Sequence, residues 1–191
     1  MMRTIIVACV LGTACGDPGS YCEGGCPVTT VAIAADGDFD DWASVPAPDL
    51  VCSGCAAGDV IAVRTTRTLD DRVAFFVETE GTAVDAIDEG YQLYFAPFSG
   101  PTFDFQITVF RGGFQMWLNA NEIAGLPVEH AIGLRGAEVA VPASVLPFAG
   151  AFRLFVNHVE LRDNQWIPAQ DTALPFVAVC FDPAAPLCHG N

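Results

Sequence analysis

Four carboxylates within a short stretch are the first residues of this chain that could do chemistry. The stretch ADGDFDDWASVP, residues 35–46, holds Asp36, Asp38 and Asp40, with one further aspartate beside them. Calcium takes about six to eight oxygen ligands, so these three side chains could supply part of a calcium site. The alternative is a solvated turn, in which the carboxylates accept hydrogen bonds from their own backbone. An EF-hand loop is excluded, because the required glycine and final glutamate are missing from their positions.

The second candidate is a hairpin that alternates apolar and polar side chains. Residues 103–110 and 114–119 show this alternation on either side of Arg111-Gly112-Gly113. Alternation of this kind is typical of strands with one buried face. Gly112-Gly113 suits the two central positions of a tight turn, which would place Val109 opposite Met116 on the core side.

The outward side of this hairpin is predicted to carry a tryptophan among amide and hydroxyl groups. Its candidate ligand-binding residues are Trp117, Gln106, Thr108, Gln115 and Asn119. An indole can stack against the apolar face of a sugar ring while neighbouring polar groups bond its hydroxyls. The alternative is an ordinary half-covered strand tryptophan. Trp166 could form a second aromatic wall, although we interpret it as a loop anchor.

The cysteines predict disulfides in an oxidising compartment. Six remain once Cys9 and Cys15 are set aside, and an even number in an exported chain is typical of a disulfide framework. They are Cys22, Cys26, Cys52, Cys55, Cys180 and Cys188. Their pairing is open from sequence. Two alternatives are zinc half-sites and a redox motif at Cys52–Cys55.

Haem is a further alternative, with axial ligands drawn from four residues. These are Met116, His130, His158 and His189. Met116 equally suits plain core packing. We find no serine in a glycine-flanked elbow, no phosphate loop and no paired histidines, and therefore predict a protein that is not an enzyme.

The elements that must position these residues are strands. Ten apolar or alternating runs are separated by Gly, Pro, Asp and Asn, and no stretch shows sustained helical spacing. This pattern predicts an all-β fold, a two-sheet antiparallel β-sandwich that is jelly-roll-like.

Charge narrows the classes of partner. The formal net charge is -15 and every basic residue other than histidine is arginine. No face can therefore present the dense basic surface that nucleic acid requires, and we predict no nucleic-acid partner. The same deficit argues against electrostatic docking on anionic lipid. The oligomeric state is open.

The N-terminus is similar to the leader of exported bacterial lipoproteins. MMR is followed by the apolar run TIIVACVLG and by small residues before Cys15. The resemblance implies a signal peptide at 1–14, a lipid on Cys15 and attachment to the cell envelope, most simply the outer membrane. An ordinary cleaved secretory peptide is the alternative. Residues 15–27 are then predicted to be a tether, and 28–191 the sandwich domain.

Three motifs in order resemble one family. DGDFDDWASVP, the strand pair VIAVRTTRTLDDRVAFFVETEG and the later AEVAVPASVL are similar to those of family 9 carbohydrate-binding modules and the wider DOMON-like superfamily. The resemblance implies a β-sandwich that often contains calcium and that binds glycans in some members and haem in others. It also implies that Trp42 packs in the core.

Two function classes follow. The first is a non-catalytic, lipid-anchored protein whose domain binds glycan through the Trp117 surface. The second is a structural or protein-interaction domain without a small ligand, which exposed aromatics at Phe76, Phe98 or Phe110 would favour.

Overall fold

The regular secondary structure of the described residues is mostly β-strand. The computed structural model describes residues 21–25, 30–46, 56, 58–83, 87–97, 105–148, 150–169, 177–182 and 186–189. Its strands are β1 Tyr21–Gly25, β2 Thr30–Val31, β3 Val60–Thr68, β4 Arg72–Thr79, β5 Glu89–Ala96, β6 Phe105–Phe110, β7 Gly113–Leu118, β8 Asn121–Glu122, β9 Glu129–Gly133, β10 Gly136–Pro142, β11 Ala151–Arg162, β12 Gln165–Pro168, β13 Val177–Cys180 and β14 Pro186–His189. Two 3₁₀ helices span Phe39–Ser44 and Ala143–Val145. Within the described ranges, no helix has the length and apolar character needed to span a bilayer.

The strands form two large sheets. Sheet I has the order β2-β3-β4-β10-β9, and sheet II has the order β12-β11-β5-β6-β7-β8, with β13 paired to the free half of β11. Neighbouring strands are antiparallel except for β2 and β3. The predicted all-β, antiparallel sandwich is thereby confirmed. A separate two-stranded sheet joins β1 to β14, so part of the predicted tether at 15–27 is a strand.

The core lies between sheets I and II. Period-two alternation sends Phe75 of β4 inward, where its ring meets Phe95 of β5 at 5.4 Å and Phe152 of β11 at 6.2 Å. All three side chains are buried. Since burial of apolar area is the main favourable term in folding, this layer of aromatic and aliphatic side chains holds the two sheets together.

The outer face of sheet I is covered by the chain itself. Residues 31–46 cross it and bury Phe39 and Trp42 against Phe76 of β4. Phe39 stacks on Phe76 at 4.5 Å, and only 1% of Trp42 is exposed. The strand β4 therefore has apolar neighbours on both faces, which explains its continuous apolar run. Phe76, which we considered as an exposed aromatic, is sealed beneath this cover.

A buried carboxylate fixes the cover in place. Glu138 of β10 is fully buried, and it accepts hydrogen bonds from Trp42 Nε1 at 2.6 Å and from the Gly37 backbone N–H at 2.7 Å. Burial raises the pKa of Glu138; these two donors oppose that shift, and the nearby Asp41 and Asp36 carboxylates reinforce it. The two carboxylate oxygens of Glu138 therefore hold the covering segment at a defined position on sheet I.

The hairpin β6–β7 has a different register from the predicted one. Its turn is Arg111-Gly112, not Gly112-Gly113, and Ile107 pairs with Met116. Of the two turn residues only Gly112 has a positive φ, +82°, so a single glycine is sufficient for this turn. A shift of two residues preserves the faces, and Met116 is buried in the core as predicted.

Candidate ligand-binding groove

A groove opens on the outer face of sheet II. Its volume is about 570 Å³, which lies within the range of about 300–1,000 Å³ that is usual for small-molecule sites. The residues that line it are Gln92, Gln106, Gln115, Trp117, Ala120, Glu122, Leu161, Asn164, Gln165 and Trp166. Two tryptophans and a set of amides therefore dominate the surface.

Strand pairing places the floor of the groove. Gln106 of β6 is the direct partner of Trp117 of β7, and Gln115 is the partner of Thr108. Gln92 of β5 pairs with Thr108 from the other side. Since side chains alternate between the two faces of a strand, these residues share the outer face. The floor is thus built from three adjacent strands of one rigid sheet.

Hydrogen bonds orient the amides of the floor. Gln92 Nε2 donates to Gln106 Oε1 at 3.1 Å and to Thr108 Oγ1 at 3.3 Å. With its carbonyl oxygen engaged by Gln92, Gln106 has its amino group available to donate to a ligand. The floor is therefore ordered before any ligand arrives, which reduces the entropic cost of binding.

Trp166 also lines the groove, beside Gln115. It lies in β12, its Nε1 donates to Gln115 Oε1 at 2.7 Å, and its ring stands 5.3 Å from that of Phe110. An indole N–H can only donate, so this bond fixes the Gln115 amide with its oxygen toward Trp166. Both tryptophans remain partly exposed.

Gly90 allows the strands beneath Trp166 to approach closely. A Cβ added at this position would lie 2.3 Å from the Val109 carbonyl oxygen and 3.1 Å from Phe110 Cβ. Gly90 is also the direct partner of Phe110, whose ring contacts Trp166. The missing side chain therefore lets Phe110 and Trp166 pack together across β5.

The predicted ligand-binding residues divide into two groups. Gln106, Gln115 and Trp117 line the groove together. Thr108, predicted to face a ligand, is instead fully buried beneath the Gln92 amide. Asn119 lies in the turn after β7 with φ of +50° and is not part of the lining.

Other lining residues were missed by sequence reasoning. Trp166 lines the groove, which agrees with the alternative of a second aromatic wall and not with the favoured interpretation as a loop anchor. Its position depends on β12, a strand of four residues, QWIP, that is too short and too close to proline to be recognised from alternation. Asp163-Asn164 was the available signal, because this pair favours a tight turn with positive φ, as observed.

The acidic stretch serves as a turn and a helix cap. Asp36 Oδ1 accepts from the Asp38 backbone N–H at 2.9 Å, and Asp38 Oδ1 caps the 3₁₀ helix by accepting from Asp40 N–H at 3.2 Å. Among the described residues, no group of three or more His, Cys, Asp or Glu side chains could hold a metal. Asp36, Asp38 and Asp40 are therefore not brought together as calcium ligands.

The residues considered for haem have other surroundings. Met116 is buried in the core, and the His130 ring meets Phe114 at 5.3 Å. Burial lowers the pKa of His130. His158 is mostly buried, with Nε2 3.1 Å from Glu89 Oε2 and Nδ1 3.5 Å from Asp59 Oδ1. The side chain of His189 lies outside the described residues.

The cysteines are described only in part. Cys15, Cys26, Cys52 and Cys55 lie outside the described residues, as do the predicted signal peptide and Phe98. Cys22 of β1 and Cys188 of β14 are direct partners in the two-stranded sheet. Cys180 ends β13, opposite Ala151.

The groove is the candidate ligand-binding site among the described residues. It combines two aromatic walls, an amide floor and one carboxylate, Glu122, at its margin. No protein-family model, curated protein or solved structure matches this sequence or fold.

Proposed function

We propose that this protein is a non-catalytic glycan-binding module, similar in kind to family 9 carbohydrate-binding modules. One observation carries the proposal: Trp117 and Trp166 come from different strands and face the same groove above a floor of glutamines. A sugar presents apolar C–H faces and a rim of hydroxyls. Aromatic walls match the faces, and amides match the hydroxyls, because each amide can both donate and accept.

The polar groups of the groove favour binding over hydrolysis. Glycoside hydrolysis generally needs two carboxylates that flank the scissile bond at about 5–10 Å. Among the described lining residues, Glu122 is the only acid. A single carboxylate at the margin suits recognition of a hydroxyl and supports a role without catalysis.

Calorimetric titration against a broad set of oligosaccharides, first selected on a glycan array, tests this function. Trp117→Ala and Trp166→Ala should each weaken binding at least about tenfold, as expected when a central aromatic anchor is lost. Trp117→Phe should retain part of the affinity, since it keeps an aromatic face. Leu134→Ala, an exposed apolar residue of the β9–β10 turn, is the matched control and should bind normally.

Two results would reject the proposal. One is the absence of binding across the whole glycan set with correctly folded protein, which would favour the structural or interaction domain. The other is binding that Trp117→Ala and Trp166→Ala leave unchanged, because the ligand would then bind elsewhere.

We further propose that a lipid on Cys15 holds this module at the cell envelope. The leader-like sequence at 1–14 supports this, because several acyl chains on one cysteine anchor stably where one chain does not. Mass spectrometry of the N-terminal peptide from the exported protein should find an acylated Cys15. The Cys15→Ser variant should lack the lipid and be recovered in the soluble fraction. A wild-type protein that is soluble and carries no lipid on Cys15 would contradict the anchor.

We also propose a disulfide between Cys22 and Cys188. Direct partners on antiparallel strands have Cα atoms about 4.5–5.5 Å apart, within the range of about 4.4–6.8 Å that disulfides adopt. The register of β1 and β14 places these two cysteines in that relation. Peptide mapping without reduction should recover this pair, and recovery of either cysteine in another linkage would refute it.

A further inference from the structure

The groove carries almost no charge of its own. Of the described residues that line it, only Glu122 is ionisable, and the others are aromatic, aliphatic or amide side chains. Glu122 lies in the edge strand β8 as the direct partner of Trp117, and it is exposed. Its carboxylate therefore stands at the margin of the groove, beside the tryptophan that forms one wall.

The chain has few cations to offer an acidic ligand. Its only basic residues other than histidine are eight, all arginine, against 23 Asp and Glu. Most of the described arginines are paired with carboxylates, such as Arg64 with Glu78, Arg72 with Glu129 and Arg162 with Glu160. None of the described lining residues is basic. A uronate or sulfate in the groove would thus lose water without gaining a counter-charge.

The field of the whole protein acts in the same direction. A formal net charge of -15 produces a negative surface potential that repels anions over distances comparable with the Debye length. Glu122 adds a like charge at the groove itself. Hydroxyls and amide carbonyls, by contrast, can use the donors that the floor presents, because the Gln92 and Trp166 bonds engage the carbonyls of Gln106 and Gln115.

We propose that the groove accepts uncharged glycans and excludes those that carry uronate or sulfate groups, with Glu122 as the specificity-determining residue. This inference rests on the proposed glycan-binding function and adds the chemical class of the ligand. The discrimination arises from repulsion, because the negative charge of Glu122 disfavours an anionic glycan more than it favours a neutral one.

The test titrates two probe sets of matched length, neutral glucose and N-acetylglucosamine oligosaccharides and oligogalacturonates, into wild type and Glu122→Gln. Wild type should bind a neutral probe at least about tenfold more tightly than any oligogalacturonate, and Glu122→Gln should narrow that gap by about tenfold. Neutral binding should change by less than about fivefold, because an exposed charge contributes little to it. Raising the salt concentration should weaken the discrimination.

Asp40→Asn is the matched control, since it removes one exposed carboxylate on the opposite face of the molecule. It should leave the gap unchanged; an equal effect of both variants would mean that net charge, and not Glu122, sets the preference. Preferential binding of oligogalacturonate by wild type would overturn the inference while leaving glycan binding intact. Absence of binding to either probe set and to the wider glycan set would reject the function itself, and this inference with it.

Discussion

The two outer faces of the sandwich treat their tryptophans in opposite ways. On sheet I, Trp42 belongs to the covering segment 31–46, is buried against Phe76, and donates its Nε1–H to the fully buried Glu138. On sheet II, Trp117 and Trp166 remain partly exposed around a groove of about 570 Å³. On both sheets, alternation along the strands points an aromatic side chain outward: Phe76 on sheet I and Trp117 on sheet II. The difference lies in what covers them: a segment of the same chain on one face, and solvent on the other.

The comparison shows how a structural tryptophan differs from a candidate binding one. The Trp42 ring is buried in the fold, and its single N–H donor is bonded to Glu138. The Trp166 N–H is bonded to Gln115, but its ring is partly exposed and can contact another molecule. Burial of the ring, more than satisfaction of its N–H, therefore distinguishes the two roles.

The largest expected effect comes from removing the sealed indole. Trp42→Ala should lower the free energy of unfolding by about 3–5 kcal/mol, as is usual for a buried tryptophan, and should leave Glu138 without one of its donors. Trp117→Ala should cost about 1 kcal/mol or less, since its ring is partly exposed. Chemical denaturation of both variants measures the contrast. Equal losses would break the comparison between the two faces.

Gly90 tests whether the groove depends on close strand packing. Gly90→Ala forces a Cβ to within 2.3 Å of the Val109 carbonyl oxygen, so β5 and β6 must separate. We expect a loss of about 1–3 kcal/mol in stability together with weakened glycan binding, because Phe110 and Trp166 are displaced. Leu134→Ala, at an exposed residue of the β9–β10 turn, is a control that leaves this packing untouched. Normal binding by a destabilised Gly90→Ala protein would show that the wall does not need this contact.

Glu138 tests how the cover is held. Glu138→Gln keeps the volume but turns an amino group toward either Trp42 Nε1 or Gly37 N–H, both of which donate. The unsatisfied donor should cost about 1–2 kcal/mol. Glycan binding on the far face should be unaffected. Thermal unfolding measures the loss of stability, and glycan titration of the same sample measures binding. Weakened binding would reveal coupling between the two faces.

His130 should give the smallest effect, as a pH dependence. Burial lowers the pKa of His130, so the folded protein resists protonating it. Above the ordinary histidine pKa of about 6.5 both states are neutral, and there is no contribution to stability. As pH falls below that value, the unfolded chain gains a proton first, so stability declines until the lowered pKa is reached. His130→Phe should flatten this part of the unfolding profile, and an unchanged slope would assign it to another group.

Sequence reasoning reached the fold because alternation is a local property. The run VIAVRTTRT, residues 60–68, is one of the ten runs predicted as strands, and it coincides with β3. The hairpin register failed because Arg111-Gly112-Gly113 permits two turns, and only the structure shows that one glycine at positive φ is sufficient. The short strands β8, β12 and β14 carry too few residues for any period to be recognised.

The groove was only partly predictable, because coverage depends on distant residues. Gln106, Gln115 and Trp117 share a strand face that alternation alone defines. Thr108 shares that face too, but Gln92, from another strand, covers it. Trp166 comes close only because β11 and β12 fold back at a short turn. Neither relation can be read from spacing.

The pairing of β1 with β14 has a mechanical consequence. If the chain is anchored by a lipid at Cys15, any pull on the domain enters through β1, whose only described strand partner is β14. Strands as short as β1 and β14 separate easily under force. A disulfide between Cys22 and Cys188 would stop that separation one residue after the start of β1. The load would then pass to both ends of the chain at once, and the sandwich with its groove would remain folded under tension.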